Sequence, residues 1–399
     1  MLNRLRAEAA TLGKPEWRPM LRYVAELHAR SILPPMPPFE RPVEEIGPGY
    51  CYAPVFGHWD IVHAVQDSLP VEPEHARDQL LNILSEQQPD GMLPGLFAFR
   101  GERVHFSAKI THPPVWPFAV QGYVEAHGDA ALLPRALAML RRQVEWFERD
   151  RRGANGGFHY LDVRGERCWE SGVDDGIRFE KVPKEWLAMC DATAHVYWLC
   201  EFGAAWAKRL GEDAAAFERK AAELRDFIRR ELFDDATGFF CDSWSRGNAP
   251  HAFEGMWPMV VGAATEEQAA RVIDENLLNP RRYFTKHPVA TVGIEDPRFE
   301  LRMWRGPAWN SMTFWAAVGC LRYRRADAAR RLLEAALDDT AAQYMRTGTI
   351  WEFYHPHGER PDTCRRKPYT PYNAPCHNYL GHNPLIAMAR MWEKASGPG

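Results

Sequence analysis

The sequence predicts an all-α protein folded as an (α/α)6 barrel, two concentric rings of six helices, and three observations carry that reading. Apolar residues recur at the helical period through most of the 399 positions, whereas period-2 runs are few and short. The helical stretches come in closely spaced pairs, and short links make paired helices antiparallel. Within each pair the members differ: one is apolar nearly all round, the other carries a single apolar stripe.

Taken in order, the first helix spans residues 16–32 and stands alone on the outer ring. Pairs follow at 58–69 and 72–88, 113–127 and 129–149, 184–210 and 212–232, 250–263 and 265–278, and 308–323 and 325–345, before a last helix at 377–394. The stretch 129–149 shows the outer type, with Leu132, Leu133, Ala136, Leu137, Leu140, Val144 and Phe147 in one stripe and Arg135, Arg141, Arg142 and Glu145 opposite. The stretch 184–210 shows the inner type, in which Val196, Tyr197, Leu199, Cys200, Phe202 and Trp206 require cover on both sides. A twelve-helix solenoid is the alternative, but no fixed repeat period is visible.

Alternation has a geometric consequence. The long connections, 33–57, 89–112, 150–183, 233–249, 279–307 and 346–376, all run from an outer helix into an inner one, so they open at one end of the barrel. The other end has tight turns such as Gly128 and Gly211. A pocket is expected at one mouth only.

No Ser/Gly-rich or Pro-rich linker divides the chain, so a single domain over 1–399 is expected. A 46% apolar content supports a large core, and the apolar runs are too short to cross a bilayer. A net charge of -4 leaves no broad basic surface for a phosphate backbone, so neither nucleic acid nor membrane is an expected partner. The polar, charged stretch Met1 to Lys14 lacks a secretory pattern, and a cytoplasmic location is expected. Eight cysteines without a CxxC pair read as reduced core thiols. The informative excess is aromatic: many of the 15 Trp, 13 Tyr and 20 Phe stand beside Gly, Pro or Asp, which suits a ring-shaped ligand such as a sugar as well as the packing of long loops.

Two acidic stretches fall in these loops: Trp169-Glu170-Ser171-Gly172-Val173-Asp174-Asp175-Gly176 and Thr349-Ile350-Trp351-Glu352-Phe353-Tyr354. Glycosidic cleavage commonly uses two carboxyl groups on opposite sides of one sugar, one protonated and one ionised, and aromatic walls help to set both states. Asp174 and Asp175 are adjacent like charges, which raises at least one pKa on burial; the bland alternative is an exposed turn. Glu352, between Trp351 and Phe353, needs either a task or an ion-pair partner.

Other clusters share the loops: Gly57-His58-Trp59-Asp60, Gln87-Gln88-Pro89-Asp90-Gly91-Met92-Leu93-Pro94, Thr111-His112-Pro113-Pro114-Val115-Trp116, and Trp304-Arg305-Gly306-Pro307-Ala308-Trp309. Asp60 either complements a helix dipole or, with Trp59, grips sugar hydroxyls. Arg305 either binds a substrate oxygen or pairs with one of the acids. His355, His357 and Glu359 are metal-ligand types but lack a helical frame, and His377 and His382 either face the pocket or fill a helix start. No cofactor or metal is expected.

These ordered motifs resemble glycoside hydrolase family 63 and its trehalase-like relatives. The resemblance runs from about Phe56 to Pro384, on Trp-Asp at 59–60, Asp-Gly-Met-Leu-Pro at 90–94, Pro-Pro at 113–114, Glu-Ser-Gly-Val-Asp at 170–174, Trp-Arg-Gly-Pro-Ala-Trp at 304–309 and Trp-Glu-Phe-Tyr at 351–354. It implies an (α/α)6 barrel, Asp174 as general acid and Glu352 as general base. Asp60, Trp169, Gly172, Trp304 and Trp309 match positions lining the sugar subsite, and Lys181 follows the acid motif where it would meet a charged aglycone.

Larger members carry an extra β-rich domain for which this chain has no room, so it is similar instead to the compact branch that hydrolyses mannosylglycerate or glucosylglycerate. It departs from the pattern at His112, where Gln often precedes Pro-Pro, at Asp175, where Asn is common, and at Met303, where an aromatic often stands. The expectation is an inverting α-glycosidase acting on a small carbohydrate, with Asp174 and Glu352 catalytic and Trp59, Asp60, Gln88, His112, Trp169, Gly172, Lys181, Trp304, Arg305 and Trp309 binding substrate. A sugar epimerase of the N-acylglucosamine 2-epimerase kind, also an (α/α)6 barrel, and a non-catalytic sugar-binding protein are the alternatives.

Overall fold

The apolar stripes read from the sequence meet around a common axis in the computed structural model, which describes residues 2–101, 103–107, 109–161, 169–180, 182–247 and 252–396. Its α-helices are α1 Asn3–Ala9, α2 Arg18–Arg30, α3 Asp60–Ser68, α4 Pro73–Ser85, α5 Trp116–His127, α6 Leu133–Asp150, α7 Cys190–Arg209, α8 Ala215–Glu231, α9 Trp257–Val260, α10 Glu266–Arg271, α11 Asn310–Arg322, α12 Ala326–Thr347 and α13 Leu385–Ser396. From α2 onward they alternate outer and inner as expected, and the chain is an all-α (α/α)6 barrel. Among the described residues, no helix is long and apolar enough to cross a membrane.

The burial of each helix follows its composition. In α8 the buried residues are Phe217, Ala221, Leu224 and Ile228, a one-sided stripe stepping by three and four. In α7 every residue from Cys190 to Cys200 is buried, because that helix has the outer ring on one side and the barrel centre on the other. Trp116 on α5 and Gln143 on α6 close one inner-to-outer contact, the indole Nε1 donating to Oε1 at 2.8 Å.

Most helices are shorter than expected at their N-termini, for local reasons. Pro113 and Pro114 cannot enter the 3.6-residue ladder, so α5 starts at Trp116. Pro384 likewise fixes the start of α13, which leaves His377 and His382 in the loop before it.

The stretch 250–263 departs furthest. Residues 250 and 251 lie outside the described ones, and the rest forms a 3-10 turn, Phe253–Met256, and then the single turn α9. Gly255 packs so closely that a Cβ there would lie 2.2 Å from the Phe240 carbonyl oxygen. The expected helix 265–278 is α10, opened by a Thr265–Gln268 capping box, continued as a π-helix over Val272–Leu277. Helix α1 was not expected; Leu5 and Ala9 bury it against the barrel.

Short antiparallel strands edge the loops: β1 Ile32–Leu33 with β2 Val43–Glu44, β3 Val55–Phe56 with β4 Phe97–Arg100 and β5 Arg103–Phe106, and β6 Phe233–Asp234 with β7 Phe239–Phe240. The three-stranded sheet pairs Val55 with Ala98 and Phe97 with Phe106. It forms one wall of the mouth.

Candidate active site

A cavity of about 1070 Å³ opens among the long loops, lined by residues from chain segments as far apart as Ile46 and His382. Two of its acids come from different loops, the half-buried Asp174 from the connection before α7 and the buried Glu352 from the connection before α13.

Asp174 projects from a tight turn fixed at both ends by buried ion pairs. Upstream, Glu170 accepts from Arg151 Nε and Nη2 at 2.7 and 2.8 Å and from the Thr111 and Leu161 amides at 3.1 and 2.8 Å. Downstream, Arg178 donates to Asp191 at 2.8 Å and to both Asp242 oxygens at 2.7 and 3.1 Å, with Glu254 3.4 Å away. Asp191, Asp242 and Cys190 are the ligand types that gather most closely among the described residues, and the Arg178 guanidinium pairs with both of these carboxylates.

Between these anchors the chain turns through Gly172 at φ +74°, where a Cβ would sit 3.1 Å from Trp59 Nε1, and through Asp175 at φ +64°. Asp and Asn are the non-glycine residues that best tolerate that region, so Asp175 suits the turn. The Asp175 carboxylate accepts from Arg302 Nη1 at 2.6 Å, while Asp174 faces Lys367.

Asp174 Oδ2 lies 2.6 Å from Lys367 Nζ. Burial raises its pKa above the ordinary aspartate value against the opposing pull of the Lys367 ammonium and of Arg366; the Glu352 charge adds to the rise. At Glu352 the balance runs the other way. Burial pushes its pKa up, but Arg366 donates from Nε at 2.7 Å and Nη2 at 3.0 Å, and the Cys376 amide donates at 3.1 Å. The fork and the amide prevail and hold Glu352 below the ordinary glutamate value. One acid is biased toward its protonated form, the other toward its ionised form.

Behind the acids lies an aromatic wall. Trp304 and Trp309 stack with centroids 3.9 Å apart and planes 3° apart, and His382 sets its edge against Trp309 at 4.7 Å. His382 is bonded through Nδ1 to Ser311 Oγ at 2.7 Å, and burial lowers its pKa to about 3. It is a neutral imidazole at ordinary pH.

Asp60 occupies the first turn of α3 and also lines the cavity, receiving a bond from Tyr379 Oη at 3.3 Å. Its neighbour Gly57 admits no side chain, since a Cβ would lie 2.8 Å from Asp60 Oδ2. Two buried polar atoms on cavity-lining residues, Trp59 Nε1 and His112 Nδ1, have no hydrogen-bond partner among the described residues. Such groups are costly unless a ligand or water meets them. Trp169, 41% exposed, stands at the rim.

Thus Asp174, Glu352, Trp59, Asp60, His112, Trp169, Gly172, Trp304 and Trp309 converge on one cavity. Gln88 lies outside its lining: its side-chain Nε2 donates to the Glu86 carbonyl and its amide to Met92. Arg305 also lies outside the lining, buried behind the acid turn, where Nε donates to the Asp175 carbonyl at 2.8 Å and Nη1 pairs with Glu180. Of the two readings open for Arg305, the structure shows pairing with acids. Lys181 lies outside the described residues. His355 and Glu359 are 3.8 Å apart, and the His355 ring accepts from the His357 amide.

Sequence reasoning missed Arg366 and Lys367, and with them the tyrosines Tyr50, Tyr52, Tyr369, Tyr372 and Tyr379 that complete the walls. The available signal was a cation pair in the aromatic-rich loop that carries Glu352.

An (α/α)6 barrel with paired acids at an aromatic mouth is the architecture of a glycoside hydrolase. Residues 54–370 match the mannosylglycerate hydrolase MGH1-like glycoside hydrolase domain, and the chain belongs to that family. It is a glycoside hydrolase of this type, which removes the epimerase and non-catalytic readings. It is 23% identical over 379 residues to mannosylglycerate hydrolase MGH1 of Selaginella moellendorffii, covering 75% of each chain. Among solved structures it is similar to the GH63 mannosylglycerate hydrolase of Thermus thermophilus in complex with Tris and D-glycerate, with a TM-score of 0.70, 19% identity and coverage of 98% of this chain and 100% of that one. Neutral trehalase Nth1 of Saccharomyces cerevisiae shares the fold at a TM-score of 0.64 and 16% identity, over 85% of this chain and 71% of that one.

Proposed function

We propose that this enzyme hydrolyses the α-glucoside or α-mannoside of glyceric acid with inversion, Asp174 acting as general acid and Glu352 as general base. The observation that carries the reading is the opposite electrostatic setting of two acids on one cavity, the first raised and the second lowered in pKa. Asp174 donates its proton to the departing glycosidic oxygen. Glu352 takes a proton from a water that attacks the other face of the anomeric carbon, so the C–O bond to the aglycone breaks as the bond to water forms. The Arg366 fork keeps Glu352 ionised between turnovers.

Trp59 and His112 offer their open polar atoms to sugar hydroxyls, Asp60 accepts from others, and Trp304 with Trp309 supplies an apolar face. A cavity of this volume holds a hexose, a three-carbon acid and water. Glycerate as the aglycone follows the names of the relatives and the D-glycerate bound to the Thermus protein.

The test is incubation with α-glucosylglycerate, α-mannosylglycerate, trehalose and kojibiose, with the released sugar followed by NMR. Hydrolysis of a glycerate with the β anomer appearing first is expected. Release of the α anomer first would overturn inversion, and inertness toward both glycerates would overturn the substrate.

A further inference from the structure

Lys367 is a costly residue to place where it is. Its side chain is 6% exposed, its Nζ lies 5.4 Å from the Trp169 ring centroid and 5.7 Å from that of Tyr52, and it lines the cavity. Among the described residues its ammonium has one hydrogen-bond acceptor, Asp174 Oδ2 at 2.6 Å, which leaves two N–H groups without one. An ammonium on a general acid opposes the protonation that the acid requires. A group that impedes the empty site is explained if the substrate moves it.

The leaving group supplies the means. To donate, Asp174 must come within about 3 Å of the glycosidic oxygen. In a glycoside of an α-hydroxy acid the carboxylate is attached to the carbon bearing that oxygen, so it arrives beside the same ammonium. Arg366 is held by Glu352 through two bonds, whereas Arg100, the third described cation of the lining, stands on the exposed end of β4.

We propose that Lys367 is the aglycone-specificity residue: the substrate carboxylate takes its ammonium from Asp174, so that an anionic leaving group is recognised and the acid is freed of its counter-ion in one exchange. This rests on the glycerate reading above. The charged and titratable groups facing Asp174 are then Lys367, Arg366, Glu352, Tyr50 and Tyr369, of which Lys367 alone changes partner.

The experiment compares α-glucosylglycerate with its neutral analogue α-glucosylglycerol, using the wild type, Lys367→Met, Lys367→Arg and Arg100→Met. Loss of one charge-assisted bond raises KM for the glycerate about 10- to 100-fold in Lys367→Met. The same variant hydrolyses the neutral glycoside faster than wild type, with the alkaline limb of kcat/KM at higher pH, because the acid has lost its cation. Lys367→Arg keeps the preference for the anion.

Unchanged selectivity in Lys367→Met, equal losses on both substrates, or loss of the anion preference in Arg100→Met instead would overturn the proposal. Should Lys367→Met not fold, calorimetry of D-glycerate with Asp174→Asn decides. Tighter binding than to wild type is expected, since Lys367 is no longer engaged by a carboxylate, and equal or weaker binding overturns the exchange. A wild type inert toward both glycerates defeats the glycerate reading itself and this inference with it; an active wild type with selectivity indifferent to Lys367 defeats this inference alone.

Discussion

Replacing Arg366 with methionine removes the cation from a carboxylate that the fold has already taken out of water. Both partners are 2% exposed, and the guanidinium contacts both Glu352 oxygens at 2.7 and 3.0 Å. Stranding a buried charge of this kind costs about 3–5 kcal/mol. The surviving Cys376 amide bond at 3.1 Å puts the expectation toward the lower end of that range.

The sign with pH follows from the direction of the shift. Glu352 is depressed in the native state, so its contribution is present above the ordinary glutamate value of 4.5 and is lost as pH falls through the lower native value. In Arg366→Met burial prevails and the native pKa rises above ordinary. The variant is therefore weakest against wild type at neutral pH and recovers ground on acidification. Urea unfolding at neutral and acidic pH measures this. The acid limb of the rate profile should move to higher pH, and kcat at neutral pH should fall by about 10²–10⁴-fold as the base is lost. In a double-variant cycle with Glu352→Gln the two losses should not add. A stability loss below about 1 kcal/mol together with an unmoved acid limb would refute the argument, since that is the range of a solvated surface pair.

Three further outcomes are expected. The wild-type kcat/KM profile should be bell-shaped, its acid limb below the ordinary carboxylate range and its alkaline limb above it, and Asp174→Asn should remove the activity while circular dichroism shows the helical fold retained. His28, buried between Glu44 and Asp67, is raised from 6.5 to about 10; its stabilisation is full below pH 6.5 and lost as pH rises through 10, so His28→Gln should unfold more easily at neutral pH and show a flatter alkaline decline in thermal scans. Trp304→Ala removes one of two rings stacked at 3.9 Å with 2% exposure, which should cost about 3–5 kcal/mol in chemical denaturation and raise KM for any sugar substrate.

The barrel was legible because its signal is redundant. Each outer helix repeats its stripe several times, as Phe217, Ala221, Leu224 and Ile228 do, and a few irregular turns do not erase it. The weak elements are those whose form depends on a partner far along the chain: α9 is cut short where Gly255 presses on the Phe240 carbonyl, a contact without local periodicity. The site divides in the same way. Asp174 and Glu352 stood out because carboxylates among aromatics are conspicuous in a linear reading. Arg366 and Lys367 did not, since Cys364-Arg365-Arg366-Lys367-Pro368 looks like a solvated basic run, and the sequence separation of 193 between Lys367 and Asp174 conceals their contact. Gln88 looked suitable by its neighbours, yet its amide is spent on its own loop.

Arg366 and Lys367 are consecutive, and each addresses a different acid on the cavity. The two carboxyl groups therefore share a single mechanical support, a dipeptide whose side chains diverge. Deletion of one residue upstream of it would bring Lys367 to the fork position and Pro368 to the ammonium position, and insertion would bring Arg365 and Arg366 to the two, so either change alters the cation that one acid or both meet. Drift in loop length is thus constrained here far more tightly than at the solvent-facing tips of the same connection, and libraries that vary this segment should hold its register fixed while sampling composition on either side.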